Sequence, residues 1–147
     1  MNDGPVLLIE DNADDQLLTL RALRKQGLEN PILVKNDGVE AIDFLQASVE
    51  GQEDLPALIL MDLKMPRIDG HEVLKRIKSD PRLRRIPVVL LTSSREVRDI
   101  TTAYDLGANS YVRKPVDFDE FSKAVSQLGL YWLVLNQPPP IHRKASQ

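Results

Sequence analysis

Glu10, Asp11, Asp62, Thr92 and Lys114 are the residues in this chain whose types and spacing could do chemistry together. Crowded carboxylates repel and raise one another's pKa unless a cation neutralises them. Hard oxygen ligands with room left for water suit Mg²⁺, which keeps part of its hydration shell. A lysine at the same place is a mobile point charge that can pair with a carboxylate and with an incoming anion. Thr92 would add a hydroxyl donor. An aspartate nucleophile beside a divalent metal, an ammonium and a hydroxyl is suited to accepting a phosphoryl group, because metal and lysine neutralise charge developing on the equatorial oxygens. Taken singly, each residue is commonplace: a helix cap, a loop acid, a strand end or a solvated charge. Their placement decides between these readings.

The elements that would position them are legible. Ala57-Leu58-Ile59-Leu60-Met61 runs without alternation into Asp62, the pattern of a strand buried on both faces in a parallel sheet. Pro5-Val6-Leu7-Leu8-Ile9 runs likewise into Glu10-Asp11, and Pro87-Val88-Val89-Leu90-Leu91 into Thr92. Ile32 to Val34 and Asn109 to Arg113 read as shorter strands, the latter followed by Lys114-Pro115. Between them lie helical patterns: Leu17, Leu20 and Leu23 turned inward and stopped by Gly27; Val39 to Val49; Val73, Leu74 and Ile77, ending by Asp80-Pro81; Arg95 to Leu106 with Ile100, Ala103 and Tyr104 on one side; and a helix capped by Asp117 carrying Phe118, Phe121, Val125 and Leu128. Strands alternating with helices predict an α/β fold, a parallel sheet covered on both faces and joined by right-handed crossovers. In such sheets ligands bind outside the carboxyl ends of the strands. All the candidate residues fall there.

Composition is consistent with one domain. The chain has 147 residues, 42% apolar and 28% charged, with a net charge of −3. The pI near 5.4 does not suggest a general nucleic-acid binder. With no cysteine, thiol catalysis and cysteine-ligated metals are excluded. No apolar run approaches the roughly 18 residues that span a membrane, and no signal-peptide pattern opens the chain. A cytoplasmic location is expected.

Glu10-Asp11, Asp62 with Met65-Pro66 and Asp69-Gly70, Thr92, and Lys114-Pro115 together resemble the receiver domain of two-component response regulators. The resemblance covers about Pro5 to Leu128. It implies a flavodoxin-like (βα)5 sheet of order 2-1-3-4-5, and it implies that Asp62 is phosphorylated by a histidine kinase or phosphotransferase. It further implies that Glu10, Asp11, Asp62 and the backbone carbonyl of Lys64 hold Mg²⁺, that Lys114 binds the phosphoryl oxygens, and that a cis bond joins Lys114 to Pro115. Thr92 would swing toward the phosphoryl group and Tyr111 would rotate inward, reshaping the face made by the fourth helix, fifth strand and fifth helix. Such a protein catalyses only its own phosphoryl transfer and dephosphorylation. Two positions depart from the commonest family pattern: Lys64, where a small polar residue is usual, and Ser94. Both flank the approach of attacking water in the family, so altered dephosphorylation is expected.

The domain is expected over residues 4–136, with a Pro-rich, disordered tail at 137–147. Leu130-Tyr131-Trp132-Leu133-Val134-Leu135 is more apolar than a receiver needs. It either completes the core or, through Tyr131, Trp132 and Leu133 and together with the face of the fourth and fifth helices, forms a dimer interface; a homodimer is expected. Too few residues follow for a DNA-binding output domain, so a stand-alone receiver is expected. The Trp-Leu segment also resembles the small receivers paired with phytochrome kinases. A haloacid-dehalogenase phosphatase would need a second aspartate where Lys64 stands, and a P-loop NTPase would need a motif the chain lacks. The remaining alternative is a degenerate receiver that binds partners without being phosphorylated.

Overall fold

The computed structural model describes residues 3–115 and 117–140. Five strands alternate with five helices: β1 (Val6–Ile9), α1 (Ala13–Lys25), β2 (Ile32–Lys35), α2 (Gly38–Val49), β3 (Leu58–Met61), α3 (Gly70–Ser79), β4 (Val88–Thr92), α4 (Val97–Asp105), β5 (Ser110–Arg113) and α5 (Phe118–Leu130). The strands form one sheet of order β2-β1-β3-β4-β5, with every pair parallel. This is the expected flavodoxin-like order. Central β1, β3 and β4 are buried at every position, which is why their sequences do not alternate.

Successive residues of these strands feed opposite cores. Leu7, Ile9, Ile59, Met61, Val88 and Leu90 pack with Ala41 and Leu45 of α2, Val73, Leu74 and Ile77 of α3, and Ala103 of α4. Val6, Leu8, Leu58, Leu60, Val89 and Leu91 pack with Ala22 and Leu23 of α1 and with Phe121 and Val125 of α5. The period of two in the strands thus sorts the helices onto two faces.

Helix starts carry oxygen caps where the chain leaves the ligand-binding edge of the sheet. Asn12, Asp37 and Asp69 cap α1, α2 and α3, each accepting from the backbone N–H three residues on. Asp117 caps α5 as expected. No side chain caps α4, which begins at Val97 rather than Arg95; Ser94 Oγ instead accepts from Glu96 N at 3.3 Å.

Three helix faces differ from the sequence reading. In α1 the buried stripe is Thr19, Ala22 and Leu23, and Leu17 faces solvent at 47% exposure. Residue 17 sits nearly opposite the mean direction of 19, 22 and 23, while Leu20 lies at the edge of that stripe and is half-buried. Tyr104 is likewise exposed, because the inward face of α4 runs through Asp99 and Ala103; Phe118 is in line with Phe121 and Val125 but is exposed at the first residue of α5.

The apolar segment after α5 continues as a π-helical turn over Tyr131–Leu135. Leu133, at 1% exposure, joins the core beside α1 and α5, and Trp132 packs against it. Leu133 is therefore a core residue of its own protomer, against its expected place in a dimer interface: the extra turn points it back onto the sheet-covering layer. Tyr131, Val134 and Leu135 stay exposed. Of the expected disordered tail, residues 137–140 have no regular structure and 141–147 lie outside the described residues. Among the described residues no helix is long and apolar enough to cross a membrane.

Candidate functional site

β1 and β3 are adjacent and in register, with Ile9 opposite Met61, so Glu10 and Asp62 leave the sheet side by side. Asp62 N bonds back to Ile9 O at 3.1 Å, which fixes this exit. Glu10, Asp11 and Asp62 present carboxylate oxygens all within 4.8 Å of one another, the first and last buried and Asp11 exposed. The α3 start closes tightly on the same place. Gly70 N donates to Leu63 O at 2.9 Å, and a Cβ at Gly70 would stand 2.6 Å from Asp62 O.

Lys114 leaves β5 and crosses to this cluster. Its Nζ donates to Glu10 Oε1 at 2.7 Å, Asp15 Oδ2 at 2.8 Å and Asp62 Oδ2 at 3.1 Å. Its backbone N donates to Thr92 O at 2.7 Å, so β4 sets where the lysine starts. Burial opposes the Lys114 charge, but hydrogen bonds to Asp15 and Glu10 and the charges of Glu10 and Asp62 outweigh it. The ammonium is held well above the usual lysine value. Burial pushes the Glu10 carboxyl up from its ordinary 4.5, and the hydrogen bond and charge of Lys114 only partly offset this. One lysine shared by the carboxylates thus leaves Glu10 short of full compensation. An oxygen-only donor set with uncompensated negative charge fits a hard divalent cation.

The Lys114–Pro115 bond does not have the expected cis geometry: among the described residues no peptide bond is cis. Trans is the favoured isomer even before proline, and in this form Lys114 already reaches all its carboxylate partners. Asp15 is the site residue that the sequence reading missed. It lies in the first turn of α1, where an acid is ordinarily a helix-dipole residue, and only the fold brings it to Lys114.

Thr92 closes β4 on the same sheet edge, fully buried, and its Oγ1 accepts from Ser94 N at 3.4 Å. Tyr111 is half-buried on β5, its hydroxyl donating to Ser94 O at 3.0 Å. The Lys64 backbone N donates to Asp62 Oδ1 at 3.3 Å, while its side chain is exposed and turns to Asp99, 3.6 Å away.

A doubly wound sheet with acids, hydroxyl and lysine converging at its strand ends defines a receiver. The family profile of the response regulator receiver domain matches residues 6–126, and the chain belongs to that family. It is a signalling protein of the two-component type. Receivers bind a divalent metal and are phosphorylated by histidine kinases.

The chain is 41% identical over 134 residues to the probable methanogenesis regulatory protein FilR2 of Methanothrix harundinacea, covering 91% of this chain and 86% of that one. The crystal structure of the phosphorylated cyanobacterial phytochrome response regulator RcpA superposes with a TM-score of 0.88 at 35% identity, covering 95% of this chain and all of the other. The Mn²⁺-bound form of the response regulator Rcp1 superposes with a TM-score of 0.86 at 36% identity, covering 92% and 99%. These single-domain regulators, some of them phytochrome-associated, are what this chain is similar to.

Proposed function

We propose that this protein is a response regulator whose Asp62 accepts a phosphoryl group from a sensor histidine kinase in a Mg²⁺-dependent step. The observation that carries the reading is Lys114 Nζ bridging Glu10 and Asp62, two of the three clustered carboxylates. Glu10, Asp11, Asp62 and the backbone carbonyl of Lys64 would hold the metal. When bound, Mg²⁺ supplies neutralisation of the oxygens on the transferring phosphoryl group. In the transfer the donor's P–N bond breaks and a P–O bond forms to the Asp62 carboxylate. Lys114 pairs with the new phosphoryl oxygens, and Thr92 donates its hydroxyl to one of them.

The readout follows from what touches Thr92. Ser94 is bonded to Thr92 through its backbone N and to the Tyr111 hydroxyl through its carbonyl. A Thr92 drawn toward the phosphoryl group disturbs this link, and Tyr111 and the α4-β5-α5 face respond. The exposed Val97, Tyr104 and Phe118 on these elements give that face apolar contact area. Homodimerisation would use the same side of the molecule together with Tyr131, Val134 and Leu135, with Trp132 half-buried behind them. The likeness to RcpA, described as a phytochrome response regulator, favours a phytochrome kinase as the donor. We place the signalling unit at residues 4–136 and the protein in the cytoplasm.

Mass spectrometry after incubation with acetyl phosphate and Mg²⁺ tests the reading. The expected result is a gain of one phosphoryl mass, absent without Mg²⁺ and absent in Asp62→Asn. Unmodified protein under every condition would replace this reading with that of a phosphorylation-independent binding module.

A further inference from the structure

Asp99 stands outside the acidic cluster yet is tied to both loops that flank Asp62. It lies in the first turn of α4, where a carboxylate is normally solvated and favoured by the helix dipole. Here it is buried at 8% exposure and turned across the molecule. Its Oδ2 accepts from Ser94 Oγ at 2.6 Å and lies 3.6 Å from Lys64 Nζ. Its carbonyl oxygen pairs with His71 Nε2 of α3 at 3.2 Å. One carboxylate oxygen therefore gathers a residue of the β3–α3 loop and a residue of the β4–α4 loop.

Both gathered residues also hold the site through their backbones. Lys64 N donates to Asp62 Oδ1, and Ser94 N donates to Thr92 Oγ1. From that backbone position the four-carbon stem of Lys64 gives its ammonium two destinations, Asp99 or a phosphoryl group on Asp62. The Lys64 side chain is 67% exposed, and among the described residues Asp99 is the one carboxylate paired with its ammonium. A phosphoryl group adds negative charge and strong acceptor oxygens at Asp62, so it competes for the same ammonium.

We infer that Asp99 is a positioning residue for the phosphorylated site: it withholds Lys64 from the phosphoryl group and thereby shortens that group's lifetime. Hydrolysis requires a water oxygen to attack phosphorus while the Asp62 O–P bond breaks, restoring the carboxylate and releasing inorganic phosphate. An ammonium seated over the phosphoryl oxygens stands in the path of that water. Asp99 draws it aside. The same competition reports to the signalling face, because a Lys64 that moves to the phosphoryl group leaves Asp99 with Ser94 alone on that oxygen. Ser94 in turn holds the Tyr111 hydroxyl.

The inference rests on Asp62 carrying the phosphoryl group, and the test separates the two. Protein phosphorylated with acetyl phosphate is freed of donor, and loss of the adduct is followed by mass spectrometry in the parent, Asp99→Asn, Lys64→Ala and the double variant. An exposed or rim ion pair moves an equilibrium by about two- to fivefold, so Asp99→Asn should slow the loss by about that factor. Lys64→Ala should speed it, and in the Lys64→Ala background Asp99→Asn should change nothing further. Asp99→Ser, which keeps an oxygen at the helix start without the charge, should behave as Asp99→Asn if the latter folds poorly. A slowing of equal size with and without Lys64, or unchanged decay in folded Asp99 variants, overturns the inference while leaving phosphorylation intact. No adduct in the parent would instead remove the phosphorylation reading, and this inference with it.

Discussion

Lys114 Nζ lies 2.8 Å from Asp15 Oδ2, nearly as close as to Glu10 Oε1 at 2.7 Å and closer than to Asp62 Oδ2 at 3.1 Å. Asp15 belongs to α1 and is more exposed than Glu10, with 27% of its side chain accessible against 5%. It is the most solvent-exposed of the three Lys114 partners. A phosphoryl group arriving on Asp62 must draw Lys114 toward itself, and the bond to Asp15 resists that movement. In Asp15→Asn the lysine is freer, and phosphorylation by acetyl phosphate should be faster by about two- to fivefold. Stopped time courses read by mass spectrometry measure this. A slower reaction would mean that Asp15 orients Lys114 rather than restraining it.

Gly70 sets how closely α3 can approach the phosphoacceptor. An added Cβ would meet Asp62 O at 2.6 Å and Leu63 Cα at 2.8 Å, both backbone atoms that cannot rotate away. Gly70→Ala should therefore displace the end of β3 and destabilise the fold by about 1–3 kcal/mol. It should also reduce phosphorylation by more than the loss of folded protein accounts for. Urea unfolding beside adduct yield at full folding separates the two effects. Wild-type yield in Gly70→Ala would show that the Asp62 position tolerates the shift.

The sheet and most of the site were readable because buried parallel strands announce themselves as unalternating apolar runs, and each run here ends in a chemically capable residue. Leu58 to Met61 before Asp62 is the clearest case, buried throughout. What escaped depended on rotation about helix axes or on long-range contact. Leu17 lies on the face of α1 turned from its buried stripe, which leucine spacing alone does not reveal. Asp15 and Asp99 read as helix-start acids, and only the folded chain places them against Lys114 and Lys64. The trans Lys114–Pro115 bond corrects an expectation that rested on family likeness and on nothing local to those residues.

The apolar extension divides by exposure into residues that hold the fold and residues free to hold a partner. Leu133 is buried against α1 and α5, and Leu133→Ala should cost about 2–5 kcal/mol. Leu135, at 67% exposure, should change stability by no more than about 0.5 kcal/mol when replaced by serine. If the extension contributes to a dimer, Leu135→Ser combined with Tyr131→Ser should weaken self-association measured by sedimentation, while at dilutions where both proteins are monomeric the melting temperature should fall far less than in Leu133→Ala. Equal loss of stability from both sets would show that the whole turn belongs to the core.

Asp99 and Glu10 should give the acid limb of stability opposite slopes in adjoining windows. The Ser94 hydrogen bond, with the charges of Lys64 and His71, holds the Asp99 carboxyl below its ordinary 3.8 despite burial. Its contribution is fully present above 3.8 and is lost as pH falls through the lower folded value. Burial instead raises Glu10 above its ordinary 4.5, so just above that pH the folded chain binds more protons than the unfolded one. There, stability rises as pH falls. Urea midpoints measured across this range with a chelator present should show both slopes. Glu10→Gln should abolish the rise above 4.5, and Asp99→Asn should flatten the fall below 3.8. A fall below 3.8 that is as steep in Asp99→Asn would mean that the bonds from Ser94 and Lys64 do not favour the charged form. The competition for Lys64 would then lose its electrostatic basis.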